Sequence, residues 1–437
     1  MSICARRVTL HALSLLRTRP YRPFCPNRGA PGVTPLIGTR PRRTHSTAQA
    51  PRISTMFPAH VPPARASSVL VLGAGNFGSC LADHLGESGH AVRLWSRKAA
   101  FVAHFNATQR NPDYLKDHHF SQNITAVGPD LPDARMLGES DVLLFAIPTQ
   151  AVRETLTKLR PNLDEAKLPL LIFVNKGIEI GTQALTLEII ADTCGPQIAQ
   201  AATFISGPSF ATEIVRRQPT SVSVASLSSA EAQRASDLFH QPWFRCYTGA
   251  DPVGIELAGA LKNIYAIAAG LADGLGFENN TRASLITRGL AEMTRIGVCY
   301  GANPLTFLGL AGVGDLFLTC SSSASRNYTV GYRLGKGESL QTIIDTLGSV
   351  AEGVTTAKGV KKLVDELGVD APIARGIYEG LYEGKDIHQG VRELMSRPPT
   401  QEIKLPETAG GPFYQYSSLC SHLLMFKGTE AGFDCKE

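Results

Sequence analysis

The apolar residues of this chain follow two patterns. Up to about residue 250 they fall in short runs separated by polar or glycine-bearing turns, and beyond it they recur every three or four residues. Ser68–Leu72 (SVLVL) reads as a short buried strand, with further strands at Ala91–Trp95, Asp141–Pro148, Leu170–Val174, Thr203–Ser206, Val222–Ala225 and Phe244–Thr248. Helices are expected after the first strand, to about Ser88, and at Ser229–His240, whereas the polar stretch 106–128 reads as irregular. From Gly254 the period becomes helical. The first helix reaches about Leu275, followed by Arg282–Tyr300, a start at Pro304–Phe307, then Phe317–Ser322, Tyr328–Gly335, Leu340–Thr346, Glu352–Leu367 and Ile373–Glu383. The expected division is an extension at 1–65, an α/β domain at 66–250, an all-α domain at 251–397 and an irregular tail at 398–437.

Within the helical half, Glu256–Asp273 (ELAGALKNIYAIAAGLAD) carries an apolar stripe through Leu257, Leu261, Ile264, Ala268 and Leu271. Its polar pair, Lys262 and Asn263, has Ala258, Ala266, Gly259 and Gly270 for neighbours. Such small residues let a backbone or a ligand approach, and an ammonium in apolar company loses proton affinity. A lysine snorkelling its stem over apolar surface is the alternative reading.

The first strand runs directly into GAGNFG, Gly73–Gly78, then a helix and a second strand, the context that makes G-x-G-x-x-G informative. Gly73 permits the tight turn, Gly75 lets a pyrophosphate approach the backbone, and Gly78 allows close helix–strand packing. The helix N-terminus offers N–H groups to phosphate. A Rossmann dinucleotide site is expected. The second strand ends in Trp95-Ser96-Arg97-Lys98, without the acid that usually receives a ribose 2′-hydroxyl, so both NAD and NADP are admitted. Lys176, in Asn175-Lys176-Gly177 just past a strand's carboxyl end, is placed for an anionic ligand.

Charge changes the picture at one end. The net charge is +5, but residues 1–65 hold eleven Arg and no Lys, Asp or Glu, and the remainder carries 32 Lys and Arg against 38 Asp and Glu. An acid-free, Arg-rich opening suits an organelle-import segment, for mitochondrion or plastid, and a start at Met56 would leave the product cytoplasmic. No basic patch argues for nucleic acid. Nine scattered cysteines without C-x-x-C indicate reduced thiols and neither a disulfide framework nor a zinc site. No apolar run is expected to approach the ~18 residues of a membrane span.

Taken together and in order, GAGNFG, NKG, GPSFA, ELAGALKNIYAIAAG, GLAGVGDLFLTC, SRNYTVG and VAEGVTT resemble the soluble nicotinamide-dependent glycerol-3-phosphate dehydrogenases, over roughly Ser68 to Arg397. The resemblance implies a Rossmann domain followed by an all-helical domain, with the site between them. It implies that Lys262 is the proton donor and acceptor. Lys176 would line the substrate and cofactor sites, Gly207 and Ser209 would touch substrate, and Ala211 would touch cofactor. Asp315, Ser325, Arg326 and Asn327 match further substrate contacts, Arg326 also reaching the cofactor. Asn263 and Thr319 match site residues of the animal-type enzymes. Val350 and Glu352 match late cofactor contacts, Asn76 and Phe77 lie in the glycine turn, and Arg97 matches a basic position at the adenosine end. The implied substrates are dihydroxyacetone phosphate and sn-glycerol 3-phosphate, and a homodimer is expected.

The residue types are chemically coherent. Ketone reduction needs a hydride and a proton for the developing alkoxide, which a lysine of depressed proton affinity can give and take back. Asn263 and Lys176 can polarise the carbonyl. Arg326 and Asn327 offer a planar fork and N–H donors to a phosphate, and Asp315 can orient Lys262 or a substrate hydroxyl. A related hydroxyacid dehydrogenase and a non-catalytic NAD(P)-sensing module are the alternatives.

Overall fold

The computed structural model describes residues 61–63, 65–348 and 351–404. Almost all of the expected import segment, Val350, and the tail from 405 on lie outside the described residues.

An eight-stranded sheet forms the first half, from β1 (Ser68–Leu72), β2 (Ala91–Trp95), β3 (Ile124–Val127), β4 (Val142–Phe145), β5 (Leu170–Phe173), β6 (Thr203–Ser206), β7 (Thr220–Ser226) and β8 (Phe244–Gly249). Its order is β3-β2-β1-β4-β5-β6-β7-β8. Strands β1 to β6 run parallel, β7 is antiparallel to β6, and β8 follows β7. The central strands are continuous Val, Leu, Ile and Phe because helices cover both faces. The fold is the expected α/β Rossmann arrangement, followed by helices.

Two local expectations need correcting. The stretch 106–128 is not wholly irregular: the helix Ala99–Thr108 enters it and β3 closes the sheet within it. Strand β3 escapes the pattern because it is an edge strand of four residues, paired only with β2, with Ile124 and Ala126 inward and Thr125 exposed. The helix Ile387–Met395 was also not anticipated; it buries none of its residues and so carries no full core stripe.

The helix Pro252–Gly274 is the axis of the second half. Asp251 caps it through Oδ1, which accepts from the Gly254 N–H at 2.9 Å, and Pro252 occupies its first turn. Almost every residue along it is buried, as an all-round apolar helix requires. The expectation about apolar runs is corrected here: by length and composition this helix could cross a membrane, but 94% of its most apolar window is buried inside the protein. Its small residues bring backbones together. A Cβ on Gly270 would stand 1.9 Å from the Tyr328 carbonyl oxygen, and one on Gly331 would stand 1.9 Å from that of Ile267. The helix Arg326–Gly335 therefore lies directly on the axial helix.

The axial helix also grips the sheet half. Glu256, fully inside, accepts from the Thr186 and Leu187 N–H groups at 2.8 and 3.2 Å, closing the N-terminus of helix Thr186–Cys194. Burial pushes its carboxyl up to about 8, against the pull of those donors.

Candidate active site

The glycine turn can be explained residue by residue. Gly73 has φ +117°, and a Cβ there would lie 2.5 Å from the Ala146 carbonyl oxygen; one on Gly78 would lie 2.0 Å from the Gly73 oxygen. Only glycine fits either place. A Cβ on Gly75 would meet no atom within 4 Å, so open space lies over the turn where helix Asn76–Glu87 begins. That opening at a helix N-terminus fits a pyrophosphate. Asn76 and Phe77 form the first helical positions, and Arg97 stands exposed two residues past β2. The turn is held by a residue that sequence reading missed. Buried Asn111 donates from Nδ2 to the Ala74 carbonyl at 3.2 Å and to Ser79 Oγ at 2.8 Å. Its signal was the Asn-Pro dipeptide within the segment taken as irregular.

At the carboxyl ends of β5 and β6 lies a charged cluster in which Lys262 and Asp315 are buried and Lys176 is half-buried. Lys176 follows β5, Lys262 comes from the axial helix, and Asp315 opens helix Asp315–Cys320. Lys262 Nζ donates to Asp315 Oδ1 at 2.6 Å, and Lys176 Nζ donates to Asp315 Oδ2 at 2.6 Å. One carboxylate, 2% exposed, thus holds both ammonium groups. Lys262 also donates to Thr319 Oγ1 at 2.8 Å, while the Thr319 hydroxyl donates to the Asp315 main-chain oxygen at 2.6 Å. With its one hydrogen so used, that hydroxyl can only accept from Lys262.

These contacts account for the proton affinities. Burial lowers Lys262 to about 8; Asp315 pulls it back up, and the Lys176 charge pushes it down. Burial alone would raise Asp315, but the charges of Lys176 and Lys262 outweigh it and hold the carboxyl below its ordinary range. Behind Lys262, burial pushes the Cys320 thiol up to about 12, which leaves it neutral.

The remaining candidates surround this cluster on neighbouring elements. Gly207, at φ +145°, directs its carbonyl to Lys176 Nζ at 3.5 Å and accepts from Ser209 Oγ at 2.9 Å. Buried Ala211 starts a short helix, and its carbonyl accepts from Cys80 Sγ on the helix behind the glycine turn. Asn263 is buried beside Lys262. The glycine crossing delivers the N-terminus of helix Arg326–Gly335, where Ser325 Oγ caps the Tyr328 N–H at 3.2 Å and Arg326 is exposed. Asn327 Oδ1 accepts from the Gly353 N–H at 2.9 Å, and a Cβ on Gly353 would lie 2.7 Å from the Asn263 carbonyl oxygen. Glu352, next to it, is raised by burial against the opposing charges of Arg326, Lys176 and Lys262. The structure thus gathers Lys176, Gly207, Lys262, Asn263, Asp315, Thr319, Asn327 and Glu352 into one neighbourhood. Arg97 lies apart, past β2 at the glycine-turn end of the sheet. Among the described residues, no group of three or more His, Cys, Asp or Glu side chains is placed to hold a metal ion.

Comparisons with known proteins bear on the fold and the family. Residues 68–232 match the N-terminal model, and 251–392 the C-terminal model, of NAD-dependent glycerol-3-phosphate dehydrogenase. A glycerol-3-phosphate dehydrogenase [NAD(P)+] of Limosilactobacillus reuteri is 44% identical over 338 residues, covering 77% of this chain and 99% of that protein. One from Geobacillus thermodenitrificans is 45% identical over 337 residues, covering 77% and 96%. The crystal structure of the Coxiella burnetii glycerol-3-phosphate dehydrogenase superposes with a TM-score of 0.71 at 36% identity, covering 76% of this chain and 99% of that one. The chain belongs to the NAD-dependent glycerol-3-phosphate dehydrogenase family.

Proposed function

We propose that this chain catalyses the reversible reduction of dihydroxyacetone phosphate to sn-glycerol 3-phosphate, with NAD or NADP as cofactor and Lys262 moving the proton. The observation that carries this reading is the Lys262–Asp315–Lys176 cluster at the strand ends, built on a buried carboxylate. Bound nicotinamide supplies the hydride. Lys262 has three N–H donors when charged, and Asp315 and Thr319 take two of them. The third is left for the substrate oxygen. A proton affinity near 8 lets the same nitrogen give a proton in reduction and accept one in oxidation. Lys176 and Asn263 stabilise charge developing on the carbonyl oxygen.

The phosphate is assigned to Arg326 and Asn327 at a helix N-terminus. Asn327 spends its carbonyl oxygen on Gly353, so its amide N–H groups serve the anion. Gly207, Ser209 and Ser325 complete the substrate contacts. Gly73, Gly75, Asn76, Phe77, Gly78, Arg97, Ala211, Val350 and Glu352 are assigned to the cofactor, with Lys176 and Arg326 shared between cofactor and substrate. We assign the domains as 66–250 and 251–397, with assembly as a homodimer. The composition of residues 1–65 supports organelle import, while the bacterial relatives of the core support a cytoplasmic enzyme. Initial rates with NADH and NADPH on dihydroxyacetone phosphate, using protein started near Met56, test the activity. Lys262→Ala should lose at least about a hundredfold in kcat and keep cofactor binding by fluorescence titration. Ordinary turnover in that variant would sink the assignment.

A further inference from the structure

Two polar atoms under the site have no partner among the described residues: Ser206 Oγ, on a residue 5% exposed, and Asn175 Oδ1. Both lie at the carboxyl ends of the adjacent strands β5 and β6. Parallel pairing of β5 with β6 sets Phe173 beside Phe204, with rings 5.6 Å apart on one face. Ser206 is the last residue of β6 and Asn175 lies two residues past the end of β5, so carrying that register on by two residues sets Asn175 opposite Ser206. This face packs on the axial helix at Gly259, where a Cβ would lie 3.1 Å from Ser206 Oγ and 3.3 Å from Cγ of Lys176. The other end of the Asn175 amide is fully used, since Nδ2 donates to Thr149 Oγ1 at 3.0 Å and to Thr186 Oγ1 at 2.6 Å. Turning the amide over would set its oxygen against Thr186 Oγ1, whose hydrogen is already given to Glu256, and would lose that bond.

A buried carbonyl oxygen and a buried hydroxyl left unpaired together are costly, and buried water is the usual remedy where two or more polar partners converge. We propose that a single ordered water bridges Asn175 Oδ1 and Ser206 Oγ, forming a wet floor beneath Lys176 at the junction of sheet and axial helix. The water donates one hydrogen to Asn175 and accepts from the Ser206 hydroxyl, satisfying both groups. It makes Ser206 and Asn175 positioning residues: they support the stem that carries the Lys176 ammonium to Asp315.

A crystal structure at about 1.5 Å resolution should show water density within hydrogen-bonding distance of both atoms. A direct Ser206–Asn175 hydrogen bond, or no density there, overturns the proposal. Ser206→Ala and Asn175→Ala should each remove the water, so the double variant should lose no more melting temperature than the worse single one; additive losses count against it. The kinetic consequence rests on the role proposed for Lys176. Ser206→Ala should raise KM for the phosphate substrate several-fold with kcat within twofold, and equal falls in both would refute the positioning role. The density readout is independent of any activity, so failure of the water and failure of the functional reading are told apart.

Discussion

Asp315→Asn isolates what sets the proton affinity of Lys262. In the native protein one carboxylate accepts from two ammonium groups, each at 2.6 Å. At an effective dielectric of about 20 a carboxylate whose charge lies about 4 Å from an ammonium holds it by about 4 kcal/mol; the amide oxygen's remaining hydrogen bond keeps about 1 kcal/mol of that, so the substitution removes about 3 kcal/mol of the hold on the Lys262 ammonium. The amide preserves shape but removes the compensating charge. At about 1.4 kcal/mol per pH unit, Lys262 should then give up its proton about two pH units lower than its native value near 8. Reduction requires the ammonium, so kcat/KM with dihydroxyacetone phosphate should fall with rising pH through about 8 in the native enzyme and about two units lower in the variant. Oxidation of glycerol 3-phosphate requires the free amine, and its rising limb should move the same way.

Stability follows with a definite sign. A lysine lowered below its unfolded value of 10.5 weakens the fold fully while it is charged, and the penalty disappears as pH rises from the folded toward the unfolded value. The variant, short by about 3–5 kcal/mol at pH 5, should therefore recover toward the native melting temperature between pH 6 and 8. A pH limb still near 8 in Asp315→Asn, or a deficit independent of pH over that window, would refute the reasoning.

Two other substitutions probe the scaffold and the cofactor. Gly331→Ala places a methyl 1.9 Å from the Ile267 carbonyl oxygen; the helices must separate, and thermal melting should show a loss of about 1–3 kcal/mol with KM for the phosphate substrate rising as Arg326 moves off. Arg97→Ala removes an exposed guanidinium past β2; if it serves a 2′-phosphate, KM for NADPH should rise about tenfold, near 1.4 kcal/mol, while KM for NADH stays constant.

Most of the framework was legible because its signals are local. Seven strands showed as apolar runs, and the glycine turn is explained by φ +117° at Gly73 and by the overlap a side chain at Gly78 would cause. What stayed hidden depends on partners distant in sequence. Strand β3 is recognisable only beside β2, and Asn111 becomes a latch only when its segment folds back on Ala74. The axial helix shows the same limit. Its small residues signalled a close approach, but nothing along the chain indicated that Gly270 faces the backbone of Tyr328 while Gly259 faces Lys176.

That difference explains how one helix can carry both Lys262, the proposed proton donor, and the geometry of the proposed phosphate end. On one side, Gly259 leaves room for the Lys176 stem, so two ammonium groups reach one carboxylate. On another, Gly270 and Gly331 let the next helix settle backbone to backbone, which fixes where Arg326 and Asn327 begin relative to Lys262. Glu256, on the same helix, closes helix Thr186–Cys194 of the sheet half, whose Thr186 side chain in turn holds Asn175 beside Lys176. The residues proposed as proton donor, carbonyl-polarising lysine and phosphate anchor are therefore all referenced to this one helix. A substitution that rotates or bends this helix should disturb KM and the pH profile together, whereas one confined to the glycine turn should change cofactor affinity and leave the proton affinity of Lys262 near 8.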